Sequence, residues 1–203
     1  MKLKANRFYK YGFWILVIII ITLLNYGRVY QKRVKTALKL EKKISNKRIA
    51  SLFASNTIFH RKINSVDGIE IITGSKKENI LKGKVLAILL SDFKCDRCQL
   101  NELKRLLKIE KELKSKGVDI IGITTRDKTD ILISQKKIIH IDFPLYFIPD
   151  SIFYNELAFS KEFPQIIFVS DGIISSAFKP VVKDDKFSED YYASLLLRIK
   201  EQK

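Results

Sequence analysis

Two sulfur atoms frame the chemistry open to this chain. Cys95 and Cys98 are its only cysteines, spaced as Cys95-Asp96-Arg97-Cys98. Residues 85–90 ahead of them are a continuous apolar run, and Leu100, Leu103, Leu106, Leu107 and Leu113 behind them recur at helical spacing. The pair therefore falls where a strand buried on both faces hands over to an amphipathic helix. A thiol at such a helix start faces unpaired N–H groups and the positive end of the helix dipole. Both favour the thiolate, which is the nucleophile in disulfide exchange. A second thiol one turn further on can resolve the mixed disulfide. The expectation is thiol–disulfide exchange, with Cys95 attacking and Cys98 resolving. Asp96 and Arg97 carry opposite charges, so the net effect of the dipeptide between the sulfurs is not readable.

The competing readings of the pair are half of a zinc site or two idle buried thiols. A structural zinc needs four ligands. The only histidines are His60 and His140, which stand in no paired spacing, and there is no second Cys-x-x-Cys. Both histidines read as ordinary structural residues, and no metal and no cofactor beyond a Cys95–Cys98 disulfide is expected. Two cysteines three apart are also no disulfide framework. Glu102, four residues past Cys98, sits on a neighbouring helical face. It reads either as the proton acceptor for Cys98 or as a solvated helix glutamate.

The elements that must position these residues follow from the rest of the chain. The formal charge of +16 over 203 residues is uneven. Residues 1–50 hold thirteen Lys/Arg against Glu41 alone, while residues 51–203 hold twenty-five against twenty-one acids. No nucleic-acid reader motif accompanies this excess, so nucleic acid is not an expected partner. Residues 11–27 carry no charge, and Lys10 and Arg28 bracket them. As a helix they span about 26 Å, close to a hydrocarbon core of about 30 Å. Tyr9, Tyr11 and Trp14 at one end and Tyr26 and Tyr30 at the other suit interfacial belts. Lys2, Lys4, Arg7 and Lys10 would also suit a signal peptide, but Asn25-Tyr26-Gly27-Arg28 offers no small-x-small cleavage site.

An uncleaved anchor, contacting the lipid bilayer through residues 11–27, is expected. Four basic residues precede the span and seven follow it closely, which taken literally favours a cytoplasmic C-terminal domain. Lysine is abundant throughout, however, and a tail of four positive charges crosses a bilayer unfavourably. The domain is expected outside the cytoplasm, in the cell envelope or periplasm. The expected organisation is an anchor with its cytoplasmic tail over 1–27, a basic stalk or helix over 28–56, and an α/β domain over 57–203. Within the domain, residues 57–63 and 69–73 read as an N-terminal hairpin turning at Asp67-Gly68. Residues 118–124 read as a strand and 128–136 as a short helix, while residues 145–148 either continue the sheet or lead into a turn over 155–159. Residues 166–170 and 173–178 read as a hairpin joined by Asp171-Gly172. A last helix, capped by Ser188, would carry Tyr191, Leu195 and Ile199 on one stripe.

At these residues the sequence resembles the membrane-anchored TlpA-type branch of the thioredoxin superfamily. The resemblance covers roughly residues 57–203. Its second anchor is Phe163-Pro164-Gln165-Ile166-Ile167-Phe168-Val169-Ser170-Asp171-Gly172, which looks like the family's cis-proline loop, strand and hairpin turn; Asp150 matches a further position. It implies a thioredoxin-like fold, a mixed sheet flanked by helices. It also implies a cis Phe163–Pro164 bond facing the cysteines, where the backbone of residue 163 binds an extended substrate segment. The competing reading of Pro164 is a trans proline opening a strand, but the Cys-x-x-Cys upstream and the Asp171-Gly172 turn downstream favour the cis bond. The chain departs from the family pattern in Lys94 before the first cysteine, apolar Leu89 in place of a buried acid, Asn101 where a Glu is usual, and bulky Phe163. These bear on redox potential and substrate range more than on fold.

The resemblance implies a disulfide reductase whose partners are protein thiols and disulfides and a membrane electron donor or acceptor. A peroxiredoxin-type peroxidase would need Thr or Ser three residues before its cysteine, where Asp92 stands. Copper-delivery relatives use a wider cysteine spacing and a late histidine, both missing here. A non-catalytic anchored binding or assembly domain is the alternative reading.

Overall fold

The computed structural model describes the backbone of residues 2–91 and 96–201 and the side chains of residues 13–91 and 98–201. It divides into two compact units, Met1–Asn46 and Lys47–Lys203. The first unit is the greater part of one long helix, α1 (Lys2–Asn56). Among the described residues this is the one helix long and apolar enough to cross a membrane. Trp14, Leu16, Ile18, Ile21 and Leu24 all stand exposed on it. Residues 28–56, read as either stalk or helix, continue α1 without a break.

The second unit is built on a seven-stranded mixed sheet in the order β2-β1-β5-β4-β3-β6-β7. The strands are β1 (Gly68–Glu70), β2 (Lys76–Lys77), β3 (Lys84–Leu89), β4 (Asp119–Thr124), β5 (Leu145–Phe147), β6 (Gln165–Ser170) and β7 (Ile173–Phe178). β3 pairs parallel to β4, and β4 parallel to β5. β6 runs antiparallel to both β3 and β7. The helices are α2 (Asp96–Ser115), α3 (Thr129–Ile139), the single turn α4 (Asp150–Ile152), which runs on into a π-turn over Phe153–Leu157, and α5 (Asp185–Glu201).

β3 lies inside this sheet, between β4 and β6, which explains its unbroken apolar sequence. Leu86, Ile88 and Leu90 pack on one face with Leu103, Leu106 and Leu195. Val85, Ala87 and Leu89 pack on the other with Ile58, Phe153 and Leu157. A strand covered on both sides has no polar positions to alternate. Its neighbour β4 carries Gly122, where a Cβ would stand 2.4 Å from Leu145 Cδ2, so a larger residue there must displace the end of that buried side chain. The hairpin β6–β7 turns at Asp171 (φ 51°) and Gly172 (φ 77°), the paired positive angles of a tight two-residue turn.

Two local expectations are corrected. The N-terminal hairpin exists, but it is β1–β2, Gly68 opposite Lys77, rather than residues 57–63 against 69–73. Residues 57–63 instead cover the outer edge of β7: the His60 N–H donates to Ile174 O at 2.9 Å and the Ile63 N–H to Gly172 O at 2.8 Å. Their apolar pattern serves the core, where Ile58 and Ile63 are buried. Ser188 is not the cap of α5 but lies buried inside it. Asp184, just before the helix, accepts from the Phe187 N–H at 3.4 Å.

Candidate functional site

Cys98 is the third residue of α2, half-buried and disulfide-bonded. Residues 92–95, with Cys95 among them, lie outside the described residues. The turn bearing Cys98 is tied to the end of β3 by its neighbour. Gln99, fully buried, donates from Nε2 to Ser91 O at 3.1 Å. Ser91 Oγ shares a hydrogen bond of 2.7 Å with Tyr154 OH, and Thr124 Oγ1 donates to Leu90 O at 2.7 Å. The strand end that feeds α2 is thus held by side chains from β4 and from the π-turn.

Opposite Cys98 stands the loop before β6. The Phe163–Pro164 bond is cis. The loop is held by Gln165, a buried side chain that sequence reading passed over. Its Oε1 accepts from the Phe159 N–H at 2.8 Å, and its Nε2 donates to Ser160 O at 2.6 Å and Glu162 O at 3.0 Å. Three backbone groups on the loop are satisfied by one amide. The Phe163 ring stacks on Phe153, centroids 5.6 Å apart, and meets Tyr154 edge-on at 6.4 Å.

Cys98, Glu102, Phe163 and Pro164 line one cavity of about 380 Å³. The structure brings these four residues, singled out from sequence, to a common wall. Glu102 lies one turn, ~6 Å, beyond Cys98 along α2. It is no solvated glutamate: only 2% of its surface is exposed. Oε1 accepts from Arg105 and from Ser188 Oγ at 3.0 Å, and Oε2 accepts from Tyr192 OH at 3.0 Å. Arg105 also donates to Asp185, so the network ties α2 to α5. Burial raises the Glu102 pKa, against the opposing pull of the Arg105 charge and these three hydrogen bonds. The Tyr192 phenol is driven well upward by burial and by the neighbouring carboxylate. Ser188 and Tyr192 were missed because only α5 packing on α2 brings them to Glu102. Arg105 was missed although it stands three residues past Glu102 on the same helix, where spacing alone could have paired them.

His60 and His140 are on separate elements. His60 stacks on Phe59 with centroids 3.9 Å apart, and His140 closes α3 with φ 53°. Asp150 opens α4. What the site's geometry can support is proton and disulfide chemistry at Cys98: a sulfur opening on a cavity, a buried acid of raised pKa one turn away, and a rigid loop across from both.

No protein-family model matches the chain, and no curated protein is similar to it. Solved structures are. The thioredoxin domain of a thiol-disulfide oxidoreductase from Bacteroides vulgatus is 19% identical with a TM-score of 0.50, over 66% of this chain and 96% of that one. A protein assigned as the thiol:disulfide interchange protein DsbE, from Chlorobium tepidum, is 14% identical with a TM-score of 0.53, over 68% and 97%. An uncharacterized thioredoxin-like protein from Porphyromonas gingivalis is 13% identical with a TM-score of 0.51, over 70% and 92%. The second unit of this chain therefore has a thioredoxin-like fold, its mixed sheet flanked by helices, and a long apolar helix precedes it in sequence.

Proposed function

We propose that this chain is a membrane-tethered thiol–disulfide oxidoreductase of the TlpA type. It reduces disulfides of partner proteins outside the cytoplasm and is recharged by a membrane electron donor. The observation that carries the reading is the position of Cys98. A disulfide-bonded sulfur in the first turn of α2 opens on a cavity shared with Glu102 and the cis Phe163–Pro164 loop. Residues 11–27 are the proposed bilayer contact, and the Cys95–Cys98 disulfide is the only redox group required.

In the reductive direction the Cys95 thiolate attacks one sulfur of a partner disulfide. A mixed disulfide forms, and the partner's other sulfur leaves as a thiolate that takes up a proton. The Cys98 thiol then gives its proton to the Glu102 carboxylate and attacks the Cys95 sulfur, releasing the second partner thiolate. Two electrons pass to the partner, and the Cys95–Cys98 disulfide remains to be re-reduced. A raised pKa makes Glu102 a stronger base than a solvated glutamate, which suits it to accept that proton. The backbone at Phe163 is the proposed support for the partner's extended segment.

The test is trapping in cells with Cys98→Ser. This variant is expected to stall as a mixed disulfide on Cys95 that runs as a discrete, reductant-sensitive adduct. In vitro, Cys95→Ser is expected to lose insulin-disulfide turnover while retaining its fold. Turnover equal to that of the native chain would end the proposal.

A further inference from the structure

The wall of the Cys98 cavity has an unbalanced charge. Its acids are already engaged: Glu102 by Arg105, Ser188 and Tyr192, Asp185 by Arg105, and Glu162 by Lys179 Nζ at 2.8 Å. Those pairs also occupy Arg105 and Lys179. Lys47, Lys161 and Lys183 remain on the same wall, exposed. Among the described residues none of the three closes an ion pair, and Lys47 reaches Glu162 only through its field. Between these ammonium groups the lining is apolar, from Phe163, Pro164, Val181 and Val182. The domain as a whole has little bias, with twenty-five basic and twenty-one acidic residues over 51–203. The cavity that holds the sulfur is lined by five basic residues against three acids.

We propose that this cavity selects partner proteins whose target cysteine is flanked by acidic residues, in an extended segment of mixed acidic and apolar character. This rests on the thiol–disulfide reading of Cys98. A concave wall with a net positive charge concentrates the opposite charge and speeds encounter. A segment laid against the cis-proline loop passes the side chains of Lys161 and Lys183, and its apolar residues meet Phe163 and Val182. Acidic neighbours of the target cysteine thus gain contacts that neutral ones do not.

The experiment uses the full chain in nonionic detergent and two short fluorescent peptides with serine in place of the target cysteine. One carries Asp and Glu around that serine, the other Asn and Gln. Fluorescence anisotropy is expected to show the acidic peptide binding about 10-fold tighter at low salt, the sum of a few exposed ion pairs. The advantage closes as salt rises from about 50 mM to about 500 mM and the Debye length shrinks. The double variant Lys161→Glu, Lys183→Glu is expected to lose it, with melting curves confirming its fold. Equal affinity for the two peptides, or a preference that survives the charge reversal, overturns the proposal. The cysteine disulfide forms of the same peptides test the underlying chemistry separately. Acidic preference in binding without any exchange supports the docking wall and overturns the oxidoreductase reading. Exchange without preference overturns the docking wall alone.

Discussion

Arg48 grips Asp184 with two parallel hydrogen bonds, Nε to Oδ2 at 2.5 Å and Nη2 to Oδ1 at 2.6 Å, across 136 residues of sequence. The pair fixes the last turns of α1 to the residue that precedes α5. Ser51 adds a bond from Oγ to Lys179 O at 2.5 Å. Residues 179–183 between these two attachment points line the Cys98 cavity. The end of α1 is therefore part of the scaffold that shapes the site.

Arg48→Ala is expected to lower Tm at pH 7 by about 3 °C, because it removes a bidentate partner from a nearly buried carboxylate. The Asp184 carboxyl is held below the usual carboxylate range, first by hydrogen bonding to Arg48. A lowered pKa stabilises the fold above the unfolded value, and that contribution disappears as pH falls through the folded value. The gap between native and Arg48→Ala melting temperatures is thus expected to close below about pH 4. Differential scanning calorimetry at several pH values reads this directly.

Glu102 has the opposite sign. Burial raises its pKa, so its protonated form suits the fold, and its contribution is full below the unfolded value of about 4.3. That contribution is lost as pH rises through the folded value. Arg105 and Tyr192 face the carboxyl, both with pKa values raised from ranges already far above that window, and Asp185 stands behind Arg105. Relative to Glu102→Gln, the native chain is expected to lose stability as pH climbs from about 4 toward neutrality. A difference in Tm that stays flat with pH would show that Glu102 does not titrate across the range.

Gln165→Leu keeps the volume and removes the amide. The Phe159 N–H, Ser160 O and Glu162 O then lose their partner inside a packed loop. A loss of about 2–4 kcal/mol is expected from chemical denaturation, in line with several unsatisfied polar groups. Disulfide exchange is expected to slow as well, because this loop carries Phe163 and Pro164.

Gly122→Ala places a methyl group against the end of the buried Leu145 side chain. Overpacking of this kind costs about 1–3 kcal/mol. Adding Leu145→Val to the same chain is expected to recover part of the loss, which urea titration of the single and double variants would resolve.

Local chemistry was enough to place most of the frame. The apolar run of β3, the leucine stripe of α2, the Asp171-Gly172 turn and the long apolar N-terminal helix each follow from residues close in sequence, because hydrogen-bond periodicity and backbone angles are local properties. Those same patterns put Cys98 on the first turn of a helix. They failed where a residue type had two uses. Ser188 has the chemistry of a cap, yet it faces inward to Glu102. Residues 57–63 have strand-like alternation, yet they close the edge of β7. The partners of Glu102 at Ser188 and Tyr192, 86 and 90 residues away, and the clasp of Asp184 by Arg48 exist only after α2, α5 and the end of α1 have packed. Side-chain pairing over such separations depends on which faces the sheet brings together, and no local pattern carries that information.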